Sequence, residues 1–512
     1  MRVVDLMPGE PDRSDVVRRV EGLSGTVTMR HEWLVRPWYG HQVPLLLQED
    51  ALVSVAGPDR FILRGTHLPT IVDDCLAADD LVVAAGEVVE LHMTWQPSHE
   101  PRCARIDVTH AVDEAVRRDE EWLATCGYDG PYVDAVRRSL LVLRHLTHQD
   151  TGGIVAALTT SLPEEIGGER NWDYRYVWLR DSALTIEALL RAGFTGKIDA
   201  WRDWLLRAVA GDPSRMQIMY RLDAGHDLPE RELDHLPGYA GTTPVRIGNG
   251  VPSGSARPTS SARSCWLSSR PARWALPRAS CPARCRWPSL TTLPATGRIP
   301  TTASGRSVAH CGISRTHGRW WAAMDIAIRG VEAGELPAGG DVGAWRSVRD
   351  AVRAEIDERG VSESRGCFVQ HYDTDEVDAS LLLLPHVGFC SADDPRFLAT
   401  VAAIESDLVE DGLVTRYRTS SGVDGLEGDE HPFVLCTSWL VQAYVWLGRT
   451  DDARELMERV LDLAGPLGLY AEELDGDGEM LGNFPQAFSH LGLIMAAFDL
   501  HEAEGSATNG TR

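Results

Sequence analysis

Residues 167–194, GGERNWDYRYVWLRDSALTIEALLRAGF, concentrate side chains that can bind a neutral polar ligand. The stretch opens with a Gly-Gly pair, and tryptophans and tyrosines follow among arginines and aspartates. Arginine donates hydrogen bonds, aspartate accepts them, and an aromatic face packs on the apolar face of a sugar ring. An apolar segment of helical period follows directly. We therefore interpret the stretch as a sugar-binding rim at the mouth of a helical scaffold.

Within this rim, Arg180 and Asp181 are adjacent and offer a donor and an acceptor to sugar hydroxyls. Trp178, two residues earlier, can pack on the apolar face of a sugar. The residues alone leave an alternative open, because Arg180 and Asp181 can also form a structural ion pair at the start of a helix.

The composition of the whole chain limits the class of partner. With 512 residues the chain can hold a large domain and a smaller one. Its formal charge of -25 argues against nucleic acid and anionic membrane surfaces, whereas a small neutral ligand remains compatible. No apolar run is long enough to span a membrane, and the N-terminus lacks the pattern of a signal peptide, so we expect a cytoplasmic protein. The sequence leaves the oligomeric state open.

The cysteines indicate neither a disulfide framework nor a metal centre. Ten of them are scattered along the chain, and none forms a CxxC pair. This usage favours reduced thiols, so we expect no metal site and no cofactor.

Two kinds of hydrophobic period divide the chain. Up to about residue 110 apolar residues alternate with mostly polar ones, which predicts antiparallel strands; the alternating residues are Val27, Met29, Trp33 and Val35, and later Val89, Leu91, Met93 and Trp95. From about residue 113 the period is helical, in segments of about ten to eighteen residues separated by loops rich in Gly, Asp and Pro. Segment 378–389, DASLLLLPHVGF, is one of the predicted helices. Because no repeat of fixed length is visible, the helix pairs are expected to close into a toroid instead of an open solenoid.

Residues 251–320 differ in composition from everything around them. The segment has no Asp or Glu, although the whole chain has 75, and it is rich in Arg, Pro and Cys. Its prolines are too frequent for a helix, and its tryptophans are atypical of a disordered insert. We interpret the segment as the translation of a shifted reading frame.

Back-translation with permitted codons supports the frame shift. Reading residues 256–276 two bases later can give QTDVLGEVLLALEQAREVGL, an acidic amphipathic helix. The same shift over residues 303–317 gives IWEVRGPLRHFTHSR. Sequencing the source gene tests this interpretation, which an intact frame encoding residues 251–320 as they stand would refute.

Several motifs together resemble the bacterial glucoamylase-like and trehalase-like members of glycoside hydrolase family 15. They span nearly the whole chain outside 251–320, and their order and spacing make the match specific. The matching segments are TGGIVAALTTSLPEEIGGERNWDYRYVWLRDSAL (151–184), LPGYAGTTPVRIGNG (236–250), DASLLLLPHVGF (378–389), GLVTRYR (412–418), GLYAEELD (468–475) and LGNFPQAFSHLGLI (481–494).

The resemblance implies an N-terminal antiparallel β-sandwich at 1–112 and an (α/α)6 catalytic barrel at 113–505, followed by a disordered tail at 506–512. Family members usually begin with further sandwich strands, so the sandwich is expected to be N-terminally short. The implied activity is inverting, exo-acting hydrolysis that releases glucose from α,α-trehalose or from maltodextrin ends.

Inverting hydrolysis needs two carboxyl groups on opposite sides of the sugar, about 6.5–9.5 Å apart. By resemblance Glu472 is the general base, and Tyr174 helps to hold the base and the catalytic water. Arg416 matches an arginine that contacts the substrate, and Trp178, Arg180 and Asp181 match the glucose-binding positions. Glu473, next to the base, is expected to point elsewhere.

The general acid is the missing partner of Glu472. The family motif places it near Gly305 and Arg306, neither of which is a carboxylic acid. We therefore expect slow turnover. Two alternatives remain: a phosphorylase with a related barrel, which would need a phosphate-binding loop instead of a base, and a sugar-binding remnant without its general acid.

Overall fold

The computed structural model describes residues 1–9, 13–196, 198–210, 216–249, 313–336, 341–421, 429–475 and 477–509. The chain divides into two compact units, Met1–Thr125 and Cys126–Arg512. The first is rich in strands and the second in helices, so the change of period in the sequence predicts the change of structure correctly.

Within the described part of the first unit, nine strands form two antiparallel sheets. The strands are β1 (Arg2–Leu6), β2 (Ser14–Glu21), β3 (Thr26–Leu34), β4 (Leu45–Gln48), β5 (Leu52–Ala56), β6 (Asp59–Gly65), β7 (Thr70–Ile71), β8 (Leu76–Ala84) and β9 (Val88–Pro97). The larger sheet has the order β1-β2-β9-β6-β5-β4, and the smaller has the order β3-β8-β7. One apolar cluster joins Trp33 and Leu81 of the smaller sheet to Leu52, Leu63 and Leu91 of the larger.

The polar face of β9 is buried as well. The alternation of apolar and polar residues in the sequence predicts instead that only the apolar face is buried. His92, Thr94 and Gln96 are nearly inaccessible, whereas Trp95 is 40% exposed and its indole donates to Asp59 Oδ1 at 2.9 Å. Apart from His92 Nδ1, the side chains of these residues are hydrogen-bonded, which offsets the cost of burying them. His92 Nε2 lies 2.8 Å from Asp15 Oδ1, for example.

Helix α1 (Val108–Leu123) ends the first unit. Asp107 caps its N-terminus by accepting a hydrogen bond from the His110 amide, and Val108 and Val112 pack against Val17 of β2. The domain boundary that the sequence predicts, between residues 112 and 113, lies inside this helix.

The second unit contains nine further α-helices among the described residues. They are α2 (Val133–His145), α3 (Leu179–Arg191), α4 (Ile198–Ala208), α5 (Ile313–Glu332), α6 (Val342–Arg359), α7 (Pro395–Asp407), α8 (Val434–Trp446), α9 (Thr450–Asp462) and α10 (Ala487–Asn509). Eight of them coincide with helical segments that the sequence predicts, whereas α5 begins at Ile313, inside segment 251–320, and helices are predicted to resume only after Trp320. Within those ranges, no helix is long and apolar enough to cross a membrane.

Helices α8 and α10 differ from the rest because residues on all their sides are buried. They pack against each other, and α10 also packs against α2 and α3. Helices α2, α4 and α9 instead bury one face and expose the other, whereas α3 buries one face and half-buries the other. A helix that is apolar all round belongs inside a helical layer, whereas an amphipathic helix faces solvent on one side.

Two local predictions are wrong. Segment 378–389 forms only a short 3-10 helix, Ala379–Leu383, because Pro385 lacks an N–H and interrupts a longer helical ladder. At the other end of the chain, the backbone of residues 506–509 continues α10 where a disordered tail is predicted. The single Gly505 costs about 1 kcal/mol relative to Ala, too little to end a packed helix.

Short two-stranded ladders connect the helices of the second unit. They are formed by β10 (Val177–Trp178) with β11 (Met219–Tyr220), β12 (Arg231–Glu232) with β13 (Arg246–Ile247), β14 (Val409–Glu410) with β15 (Leu413–Val414), and β16 (Glu473–Leu474) with β17 (Met480–Leu481). Most of the candidate site residues lie on these ladders or beside them.

Candidate active site

Glu472 lies directly before β16, and backbone hydrogen bonds fix its position. Its carbonyl accepts from the Val434 amide at 3.3 Å, and the Leu474 amide donates to the Pro432 carbonyl at 3.1 Å. The Glu472 side chain is buried, with the residue 7% exposed. The segment is therefore held against the start of α8, and the carboxyl lies inside the unit.

The two oxygens of the Glu472 carboxyl have different surroundings. Oε1 accepts a hydrogen bond from the Tyr174 hydroxyl at 3.2 Å and a longer one from Gln486 Nε2 at 3.5 Å. Oε2 is buried and has no hydrogen-bond partner in the described part of the chain. Because an unpartnered buried acceptor is costly, it requires an explanation such as a catalytic role. One oxygen is oriented and the other can accept a proton.

The surroundings of Glu472 tune its basicity. Burial raises the pKa of the carboxyl to about 7; the hydrogen bond from Tyr174 and the charges of Arg416 and Arg180 lower it, and the Glu430 carboxylate raises it. A general base works best when its pKa lies near the operating pH. A carboxyl group with a pKa near 7 can therefore take up a proton at neutral pH.

Tyr174 reaches Glu472 from a segment almost 300 residues earlier in the chain. Its carbonyl accepts from the Ala157 amide at 3.0 Å, and the Ala156 carbonyl accepts from the Ala487 amide at the start of α10. These bonds place the segment of Tyr174 beside the segment that leads into α10. The phenol hydroxyl lies 3.4 Å from Glu164 Oε1 as well as 3.2 Å from Glu472 Oε1.

Arg180 and Asp181 occupy the first turn of α3, where a negative charge near the helix N-terminus is favourable. Arg180 Nε donates to Asp181 Oδ1 at 2.7 Å, so the two form an ion pair. The guanidinium also lies 4.2 Å from the centre of the Phe488 ring and 5.3 Å from that of Trp178. The Arg180 side chain keeps 38% exposure while Asp181 is buried. Both the structural pairing and sugar binding remain compatible with this geometry.

Arg416 belongs to a buried ion network centred on Glu430. Arg416 Nε donates to Glu430 Oε2 at 3.1 Å, and its Nη2 contacts Oε1 of the same carboxylate. Arg170 Nη1 and the Tyr417 hydroxyl donate to Oε1 at 3.0 and 3.1 Å. The network fixes the Arg416 guanidinium, whose side chain is 35% exposed.

The second glutamate of the Glu472–Glu473 pair points elsewhere, as the alternation along a strand predicts. Glu473 Oε2 accepts from the His431 amide at 3.0 Å, and β16 pairs Glu473 with Leu481. The role of Glu473 is therefore to hold the loop before α8.

Sequence reasoning missed Glu164, Glu430 and Gln486. Glu164 and Glu430 are buried carboxylates, with 4% and 8% exposure, although their sequence contexts Pro-Glu-Glu and Asp-Glu-His are typical of surface loops. A weak signal for Glu164 is its place inside the segment 151–184 that carries the family motif. Gln486 lies in segment 481–494, which carries another.

Other predicted positions do not enter the described site. Gly305 and Arg306, where the family motif places the general acid, lie outside the described residues, so the absence of that acid stays a prediction. In the described ranges no group of three or more His, Cys, Asp or Glu side chains could hold a metal ion.

Gly482 lies next to the side chains of Glu472 and Glu164. Its φ is +80°, and a Cβ at this position would lie 3.2 Å from Glu472 Cβ and 3.6 Å from Glu164 Cγ. We expect Gly482→Ala to lower the free energy of unfolding by more than the cost of about 1–2 kcal/mol for a left-handed non-Gly residue. Chemical denaturation measures this. Gly412→Ala is the matched control, because Gly412 has φ +77° with nothing within 4 Å. Equal costs for the two substitutions would contradict close packing at Gly482.

Glycosyl hydrolases family 15 matches residues 130–252 and 314–498, more than half of the chain. The chain belongs to this family, which confirms the resemblance seen in the motifs.

Its relatives include several trehalases. That of Mycolicibacterium smegmatis is 36% identical over 443 residues, covering 82% of this chain and 63% of the relative. That of Thermoplasma acidophilum is 32% identical over 523 residues, covering 98% of this chain and 86% of the relative. That of Thermoplasma volcanium is 37% identical over 393 residues, covering 75% of this chain and 61% of the relative. The chain thus spans less than two thirds of the length of the M. smegmatis and T. volcanium proteins.

The fold is similar to that of a bacterial glucoamylase solved in complex with acarbose. The TM-score is 0.65, with 14% identity over 98% of this chain and 82% of the other. At this identity the likeness shows the fold alone.

Proposed function

We propose that the chain hydrolyses α,α-trehalose to two molecules of glucose with inversion at the attacked carbon. The observation that carries the proposal is the Glu472 carboxyl, with Oε1 bound by Tyr174 and a buried Oε2 that no described residue binds. Among the possible glucosides, trehalose is favoured because the relatives at 32–37% identity are trehalases. The placement in the cytoplasm stays a prediction of the sequence.

We propose further that the second unit is an (α/α)6 barrel. Its inner layer would include α8 and α10, which are buried on all sides, and its outer layer the amphipathic helices such as α9. The likeness to the bacterial glucoamylase supports this architecture. The site residues then lie where the loops of such a barrel converge.

In the proposed reaction, water attacks the anomeric carbon of one glucose while the bond to the bridging oxygen breaks. Glu472 Oε2 takes a proton from the water, and Tyr174 keeps the carboxylate oriented through Oε1. Arg180 donates to a sugar hydroxyl, Asp181 accepts from one, and Trp178 packs on the ring. Arg416, held by Glu430, donates a further hydrogen bond. The leaving oxygen requires a proton from a general acid on the opposite side.

The general acid determines how fast this chain can act on trehalose. Because residues 251–320 contain no Asp or Glu, we expect turnover of trehalose to be about 10²–10⁴-fold slower than with a positioned acid. α-D-Glucosyl fluoride avoids this requirement, since fluoride leaves without being protonated. It is therefore the substrate that isolates the base side of the site.

The stereochemistry of the products tests the proposed reaction. We expect α-D-glucosyl fluoride to release β-D-glucose first, and trehalose to give one β and one α molecule, because only the attacked carbon inverts. Proton NMR at early times distinguishes the anomers. α-D-Glucose as the first product from the fluoride would contradict an inverting mechanism.

Parallel assays separate the remaining alternatives. Glucose release is measured from trehalose, maltose and starch, each with and without phosphate. We expect trehalose to be the preferred natural substrate and phosphate not to be consumed. Formation of glucose phosphate would indicate a phosphorylase, and binding of trehalose without hydrolysis of either trehalose or the fluoride would indicate a sugar-binding remnant.

A further inference from the structure

We propose that Glu164 is a positioning residue that holds a proton and, through the Tyr174 hydroxyl, fixes the orientation of the Glu472 carboxylate. This role rests on the proposed function of Glu472 as the general base. Glu164 precedes the sugar-binding rim, and although it lies within segment 151–184, the resemblance assigns it no role.

The Tyr174 hydroxyl lies within hydrogen-bond distance of two carboxyl groups. It lies 3.2 Å from Glu472 Oε1 and 3.4 Å from Glu164 Oε1, yet a phenol has one proton to donate. If Tyr174 donates to Glu472, its oxygen can only accept from Glu164. Glu164 must then carry the proton, which gives a chain from the Glu164 acid to the Tyr174 oxygen and from the Tyr174 proton to Glu472. The shorter contact, to Glu472, agrees with this direction.

The charges around Glu164 favour the protonated form. Glu164 is 4% exposed, and Tyr174 is the only side chain with which its carboxyl forms a hydrogen bond in the described ranges. Of the nearby cations, Arg170 binds Glu430 through Nη1 and Arg416 binds it through Nε. Charged or titratable groups face this cluster from every neighbouring segment: Arg170, Tyr174, Arg180, Arg416, Glu430, Glu472 and Glu473.

The direction of the pKa shift agrees with this assignment. Burial raises the pKa of Glu164 well above its ordinary value, and the carboxylates of Glu472 and Glu430 raise it further, against the opposing effect of the two arginines. In the proposed arrangement Glu164 is the neutral partner of the Tyr174 hydroxyl and Glu472 is the charged one. Two ionised carboxylates on one hydroxyl would repel each other and compete for its proton.

A proton on Glu164 predicts how kcat depends on pH. When the pH rises through the pKa of Glu164, the acid ionises and competes for the Tyr174 proton. Glu472 then loses its hydrogen bond, so kcat falls at alkaline pH. On α-D-glucosyl fluoride a general acid makes no contribution, so the alkaline limb reports Glu164 and the acid limb reports Glu472.

Infrared spectroscopy tests the proton on Glu164 without any turnover. At pH 7 we expect the full chain to show the C=O stretch of a protonated carboxyl that Glu164→Gln removes. Glu165→Gln is the matched control, because Glu165 is adjacent and is more exposed. It should leave the band unchanged. If the Glu164→Gln and wild-type spectra agree in this region, Glu164 is ionised and the proposal is wrong.

The pH profile of fluoride hydrolysis tests the positioning role. We expect Glu164→Gln to lower kcat at pH 7 by several-fold with little change in KM, and to remove the alkaline limb, because the amide donates to Tyr174 but cannot ionise. In a Tyr174→Phe background the same substitution should have no further effect on kcat, since the hydroxyl that connects Glu164 to Glu472 is absent. An unchanged alkaline limb, or additive effects in the double variant, would overturn the proposal.

Failure of the proposed function is distinguishable from failure of this inference. If wild-type protein releases no fluoride, Glu472 is not the base of a hydrolase, and the infrared result still decides where the proton lies. Circular dichroism checks the fold of each variant. If Glu164→Gln does not fold, the pH profile of Tyr174→Phe decides. This variant should lose the alkaline limb. An alkaline limb that persists would refute the hydrogen-bond chain from Glu164 through Tyr174 to Glu472.

Discussion

Glu472→Gln is expected to slow the hydrolysis of α-D-glucosyl fluoride by about 10²–10⁴-fold, the range typical of a lost general base. The amide keeps the size of the side chain and an oxygen that can accept from Tyr174, but it cannot take a proton from water. Fluoride release followed by an ion-selective electrode measures kcat and KM.

The same assay gives the pH dependence. Glu472 acts as the carboxylate, and burial raises its pKa to about 7, so the rate falls as the pH drops below about 7. The residual rate of Glu472→Gln should lack this acid limb.

Glu473→Gln is the matched control, since Glu473 is an adjacent buried glutamate whose Oε2 accepts from the His431 amide. We expect it to keep the acid limb and most of the rate. If both substitutions reduce kcat equally, the loss reflects a disturbed loop and Glu472 is not the base.

Glu430→Gln is expected to cost about 3–5 kcal/mol of unfolding free energy, because it breaks a buried ion pair and leaves a charged partner inside the protein. Glu430 and Arg170 have side chains only 1% and 3% exposed, and their atoms Oε1 and Nη1 lie 3.0 Å apart. Arg416 loses its carboxylate partner at the same time. Chemical denaturation followed by tryptophan fluorescence measures the change.

An exposed pair provides the comparison for Glu430. Asp451 contacts Arg454 at 2.9 Å in the first turn of α9 but is 97% exposed. Exposed pairs contribute about 0–1 kcal/mol, so Asp451→Asn should have little effect. A cost for Glu430→Gln no larger than this would show that water reaches the network.

How much of the fold the sequence predicts depends on how local the signal is. Helix periodicity locates α2 to α10 because each buries a regular face or is apolar throughout. Segment 378–389 looks equally helical, but one missing amide at Pro385 stops it. Trp95 continues the alternation of β9 and yet faces outward, since its indole binds Asp59 and the polar side of the strand is covered instead.

Some residues of the candidate site can likewise be predicted from the sequence and others cannot. Glu472 and Tyr174 are predicted from motifs, and the structure brings them together at 3.2 Å. Glu164 and Glu430 escape prediction because nothing in a short sequence distinguishes a buried glutamate from a solvated one. Their burial follows from contacts with residues far away in the chain: Glu164 lies beside Gly482, and Glu430 meets Arg170, 260 residues earlier.

These contacts between distant side chains bear on the order of folding. Tyr174 and Glu472 are 298 residues apart, and Thr159 and Asn483 are 324 apart, yet both pairs are hydrogen-bonded. Contacts between such distant segments form late, because the loop entropy is lost before they are gained. During synthesis the helices near residue 180 can fold while the site does not yet exist. Glu472 and Tyr174 can meet only after Glu472 has left the ribosome, so the contact on which the proposed chemistry depends forms late in synthesis.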